Sequence, residues 1–110
     1  MLYDLRTYTT KPGATRRQLD LYRDHGFDIQ RRHAGDPVFL LMTETGQLNS
    51  YVHLWAYENA GQREAARHAL MADPDWQAYM KMSLDAGYMV SQQNSLLSPV
   101  SFWPLKPETK

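Results

Sequence analysis

An α+β fold of order β-α-β-β-α-β, with an antiparallel sheet, is predicted by three observations. Runs that alternate with period two stand at the start and in the middle of the chain, separated by charged stretches whose apolar residues recur at helical spacing. Glycine, proline and asparagine fall between these runs, where turns and caps are needed. The 110 residues suit one such domain, expected over residues 1–105 and followed by a mobile tail at 106–110.

The first strand is "LYDLRTYTT", in which Tyr3, Leu5 and Thr7 alternate with Leu2, Asp4, Arg6 and Tyr8. "KPG" ends it. From about Ala14, the residues Leu19, Tyr22, Phe27 and Ile29 lie among charges and predict an amphipathic helix, interrupted or capped at Gly26. Gly35 is a natural helix terminator, and Arg31, Arg32 and His33 suit the negative helix end. "PVFLLMTET" is the second strand. "GQLN" makes a hairpin-like connection to the third, "SYVHLWAYE". "NAGQREAARHALMA" is built of helix formers. Asp73 and Pro74 then start another helix, as cap and first residue, and Gly87 ends it after Trp76, Tyr79, Met80 and Leu84. "YMVSQQNSLLS" is the fourth strand. The resulting order is ferredoxin-like, with helices on one face of the sheet.

The third strand has two unlike faces. Val52, Leu54 and Ala56 are small and aliphatic, and are expected beneath the helices. Tyr51, His53, Trp55 and Tyr57 then point to the uncovered side, with Asp4, Arg6 and Tyr8 from the first strand and Met42 and Glu44 from the second. Such an aromatic row is too apolar to stay open to water. A second copy packed sheet against sheet, enclosing a lined cavity, is the expected cover.

Composition narrows the function. Twelve basic and twelve acidic side chains cancel, so no nucleic acid or anionic membrane partner is expected. The chain has no cysteine, which removes disulfides, thiolate nucleophiles and cysteine-bound zinc and fits a cytoplasmic setting. The N-terminal sequence does not resemble a secretory signal, and no apolar run is long enough to span a membrane. His25, His33 and His68 show no metal-ligand spacing, so no metal is expected. No phosphate-binding glycine loop or GxSxG elbow is present, and no cofactor is expected.

The residues singled out for a site are Arg6, Tyr8, Glu44, His53 and Trp55. His53 is the one candidate catalytic base, because imidazole titrates near neutrality. Its alternative is a buried, hydrogen-bonded histidine. Arg6 would clamp a ligand carboxylate, or pair with Asp4 or Glu44. Glu44 is either an acid beside His53 or that partner. Tyr8, Trp55, Tyr51 and Tyr57 would line a pocket or fill an interface. Arg63 and Arg67, four apart on a helix, read as a solvated face.

Five blocks, "YDLRTYTTKPG", "GFDIQRRHAG", "ETGQLNSYVHLWAYEN", "REAARHALMADPDWQAYM" and "QQNSLLSPVSF", resemble those of the NIPSNAP family in order and spacing. The resemblance covers Met1 to about Leu105. It implies a dimeric α+β barrel, two ferredoxin-like units packed face to face, with no defined activity. Eukaryotic members of that family are mitochondrial and act in protein interactions. By that resemblance the chain is expected to be a compact bacterial member without their N-terminal extension. The wider superfamily holds small-ligand binders, haem-degrading enzymes and cofactor-free oxygenases. The expected function is therefore a homodimer that binds a small apolar or aromatic molecule between its two sheets. A protein-interaction module is the alternative, and a cofactor-free monooxygenase a further one.

Overall fold

The computed structural model describes residues 1–105. The expected tail at 106–110 lies outside the described residues. The elements follow the predicted order: β1 (Leu2–Thr10), α1 (Thr15–His25), α2 (Phe27–Ala34), β2 (Phe39–Met42), β3 (Ser50–Tyr57), α3 (Ala60–Ala72), α4 (Pro74–Ala86) and β4 (Met89–Leu97). The strands form one antiparallel sheet in the order β2-β3-β1-β4. The fold is α+β and ferredoxin-like, with helices on one face of the sheet.

The helix boundaries follow local chemistry. Asp73 accepts the Asp75 N–H at 2.9 Å, with Pro74 behind it at the first helical position of α4. Asn59 caps α3 by accepting the Gln62 N–H, also at 2.9 Å. Asp73 also accepts from Arg32 at 2.9 Å and bonds His33 at 2.7 Å, which ties the end of α2 to the start of α4. Gly26 separates α1 from α2 for a steric reason. A Cβ placed there would stand 3.0 Å from the Tyr79 ring and 3.1 Å from the Tyr22 ring.

The connection between β2 and β3 is a seven-residue loop, Thr43 to Asn49, rather than a tight hairpin. Asn49 holds it in place with a left-handed backbone, φ 63°. Its carbonyl accepts from the Thr10 N–H and hydroxyl, and its side chain accepts from the Gly13 N–H. The loop is thereby fastened to the turn between β1 and α1.

The two sheet faces are the reverse of the expected ones. Tyr51, His53, Trp55 and Tyr57 are all at most 5% exposed and face the helices. Paired in register with β3, Asp4, Arg6 and Tyr8 share that face, as does Met42. Val52, Leu54 and Ala56 lie on the open side with Tyr3, Leu5 and Thr7. The reason lies in the helices. Their inward residues, Tyr22, Leu70, Trp76 and Tyr79, are mostly rings themselves. Rings from helix and strand interleave and fill the gap between the layers, giving aromatic pairs worth about 0.5–1.5 kcal/mol each beyond their burial. Small aliphatic side chains from the sheet would leave that gap underfilled.

Candidate functional site

Asp4 anchors the polar end of the helix-facing layer. It is 1% exposed, and a buried carboxylate needs several donors. It accepts from Arg63 at 3.0 Å, Asn94 at 3.1 Å and Arg6 at 3.2 Å, drawing β1, α3 and β4 together. Burial is the strongest single influence on this carboxyl and works against its charge. The Asn94 hydrogen bond and the two guanidinium groups together outweigh it and hold the pKa below the ordinary value. Arg6 also donates from Nε to the Tyr8 hydroxyl at 3.0 Å. The hydrogen-bond partner of Arg6 is therefore Asp4, one of the two carboxylates expected for it, together with Tyr8.

His53 sits opposite Arg6 on the neighbouring strand. Its ring centroid lies 4.9 Å from Tyr8, 5.0 Å from Tyr22, 5.5 Å from Tyr51 and 6.0 Å from Trp55. Tyr8 and Tyr51 stack at 4.9 Å beside it. Burial, aided by the Arg6 charge, pushes the imidazole pKa down to about 4. At neutral pH the ring is uncharged, with one nitrogen donating and one accepting. Neither nitrogen has a hydrogen-bond partner among the described residues, although the residue is 2% exposed.

A cavity of about 120 Å³ opens beside this ring, between sheet and helices. Arg6, Tyr8, Tyr51 and His53 form its sheet side, with Met89 and Gln92 of β4. Gln18 and Tyr22 of α1, Gln30 of α2, Arg67 and Met71 of α3, and Trp76, Tyr79, Met80 and Ser83 of α4 form the helix side. Gln18 donates to the Tyr79 hydroxyl at 3.2 Å and to Ser83 at 3.4 Å, while its Oε1 has no partner among the described residues. Trp76 Nε1 is also buried without one. Tyr22 donates to Gln30 at 2.5 Å. Burial raises the Tyr79 pKa to about 12 and those of Tyr22 and Tyr51 further, so these hydroxyls keep their protons at neutral pH.

Of the residues singled out from the sequence, Arg6, Tyr8 and His53 meet at this cavity. Trp55 does not line it. It lies next to His53, 1% exposed, and packs behind the wall. Glu44 is remote, because β2 ends at Met42 and a last bond from the Thr43 N–H to Ser50 closes the ladder. Glu44 is left exposed on the loop, beside neither His53 nor Arg6. Arg63 and Arg67 are not a solvated face: Arg63 reaches Asp4 and Arg67 borders the cavity. Both share a helical stripe with buried Leu70, and that spacing was the available signal. Gln18 and Gln30, 2% and 3% exposed, gave no sign in the sequence, since glutamine is ordinarily a surface residue. Among the described residues no cluster of His, Asp or Glu could hold a metal ion, and no helix is long and apolar enough to cross a membrane.

Comparison with known proteins adds the following. A family model described as NIPSNAP matches residues 3–104. The human protein NipSnap homolog 3A is 37% identical over 105 residues, covering 96% of this chain and 42% of the human one. The chain thus spans less than half the length of that relative. The solved structure of an uncharacterized NIPSNAP domain protein from Burkholderia xenovorans superposes with a TM-score of 0.88 at 35% identity, covering 94% of this chain and 99% of that one. A solved structure described as an antibiotic biosynthesis monooxygenase gives 0.60 at 17% identity, over 91% of this chain and 99% of that one, which is a likeness of fold alone.

Proposed function

This chain belongs to the NIPSNAP family, and on that footing we propose that it binds a small molecule in the cavity beside His53, within each copy of a homodimer. The observation that carries this reading is the unpaired imidazole. A buried polar atom without a partner costs about 1–3 kcal/mol. Both His53 nitrogens, Gln18 Oε1 and Trp76 Nε1 are such atoms, and all belong to residues that line one cavity. A ligand that meets several of them at once recovers that cost on binding. The volume, about 120 Å³, is close to that of a cavity able to admit benzene, about 150 Å³. A single ring is the size class it favours.

Binding is favoured over proton abstraction for a related reason. A general base works best with a pKa near the working pH. His53, at about 4, is a weak proton acceptor at neutrality but an effective hydrogen-bonding group. The monooxygenase-like structure shares no more than the fold, so its described reaction adds no support.

The second copy belongs on the open sheet face. Along β1, β3 and β4 the outward positions are Tyr3, Leu5, Thr7 and Thr9, then Val52, Leu54 and Ala56, then Ser91, Gln93, Ser95 and Leu97. Phe39 and Leu41 extend the face on β2. None of these carries a charge, which is unusual for a sheet surface left to water. A self-complementary two-fold contact is the simplest cover. Sedimentation equilibrium should give twice the monomer mass; a monomer at micromolar concentration overturns the dimer.

Ligand binding is tested by ligand-observed NMR, with a panel of single-ring compounds that includes anionic, neutral and cationic members. Saturable binding is expected to at least one of them, and to be lost in His53→Phe, which keeps the packing and removes both nitrogens. If no member of the panel binds, or if His53→Phe binds as well as the parent, the reading fails.

A further inference from the structure

Among the described residues the cavity wall carries two guanidinium groups and no carboxylate. Arg6 is already committed to Asp4 and Tyr8. Asp4 in turn serves Arg63 and Asn94 as well, so its acceptor capacity is shared among three donors. Arg67 is different. It lies half-buried on α3, and it makes no hydrogen bond or ion pair with any described residue. Burial, and then the neighbouring Arg6 charge, press its pKa below the ordinary value and outweigh the opposing pull of Asp4, with which Arg67 makes no direct ion pair. Among the described residues around this corner, three guanidinium groups, those of Arg6, Arg63 and Arg67, face the Asp4 carboxylate.

Guanidinium is suited to planar, two-point recognition of carboxylates. A second donor stands beside it. The Tyr8 oxygen accepts from Arg6, and its own O–H proton has no acceptor among the described residues. The rings of Tyr22 and Tyr79 and the neutral His53 supply flat surfaces next to these donors. The combination has a charged end and an aromatic end within one small volume.

We propose that the cavity selects a small carboxylate of one ring or less, its anionic group held by Arg67 with help from Tyr8 and Arg6, and its body against the tyrosines and His53. This deepens the binding reading above and rests on it. Arg67 is the residue that sets the preference for charge.

The test compares benzoate with benzamide, a neutral probe of the same shape, by NMR titration at pH 7. Benzoate is expected to bind at least tenfold more tightly to the parent protein. In Arg67→Met, which keeps an apolar stem, the ratio falls to near one, while Arg67→Lys retains part of it. Without ligand, Arg67→Met keeps or raises the urea midpoint, because it relieves repulsion with Arg6; a merely structural arginine would lower it. Equal binding of the two probes by the parent overturns the anion proposal and leaves the binding reading standing. Binding of neither overturns the anion proposal, and the binding reading falls with it only when the rest of the panel also fails to bind. A benzoate preference that survives in Arg67→Met removes Arg67 from the role.

Discussion

The two faces of the same sheet differ in kind. Toward the helices, β1 and β3 present Asp4, Arg6, Tyr8, Tyr51, His53 and Trp55, a layer dense in rings, charge and hydrogen-bonding atoms. Toward the outside, the same strands present Tyr3, Leu5, Thr7, Val52, Leu54 and Ala56, with no charge. Each backbone residue contributes to one face or the other by parity alone. The contrast teaches that polarity here does not mark the water side. The charged positions are inside, where three donors and a carboxylate satisfy one another, and the uncharged positions are outside, where a partner would lie.

The inner face should be intolerant of small chemical changes. Asp4→Asn removes the charge that balances Arg6 and Arg63 while keeping the shape. Breaking a buried ion pair from one side costs about 3–5 kcal/mol. Urea unfolding should show a loss of that order; a loss below about 1 kcal/mol would mean the network is solvated after all.

Acid should act on the same face. In the unfolded chain imidazole titrates near 6.5, whereas folded His53 titrates at about 4. Between those values the unfolded chain takes up a proton that the folded one refuses, so protonation favours unfolding. The stabilisation is complete above about pH 6.5 and is lost as the pH falls to about 4. At about 1.4 kcal/mol per factor of ten, the loss is about 3 kcal/mol. His53→Phe should flatten stability across that window. Asp4, with its lowered pKa, contributes a separate loss below its ordinary value of 3.8. A parent protein equally stable at pH 7 and pH 4.5 would contradict the buried, neutral imidazole.

The smallest effect on the fold is expected outside. Leu41→Lys places a charge at a position 57% exposed on the open face. Monomer stability should change by less than about 0.5 kcal/mol, as for surface substitutions generally. The same change should shift the sedimentation mass toward the monomer. A dimer that tolerates it would place the contact elsewhere.

Much of the architecture was legible because it depends on local rules. Gly26, Asp73, Pro74 and Gly87 mark helix breaks by their own backbone chemistry, and alternation marks β1 and β3. The facing of the sheet was not legible in the alternation, since period two describes both faces equally. It is decided by what the helices bring, and Tyr22, Trp76 and Tyr79 call for rings opposite. Arg6, Tyr8 and His53 come together at the cavity because they share a parity across adjacent strands. Glu44 failed because the second strand is shorter than its apolar run implied. Arg67 was missed because an arginine four residues from another looks solvated unless the stripe they share with Leu70 is followed inward.

The missing side chain at position 26 reaches further than the helix break it marks. The rings that approach it most closely, Tyr79 and Tyr22, both border the cavity. A single methyl there would have to move one of them. The dimensions of the cavity are thus fixed partly from behind its own wall, by a backbone position that does not line it. A comparison of cavity size among related chains would begin at this position, before any residue of the lining.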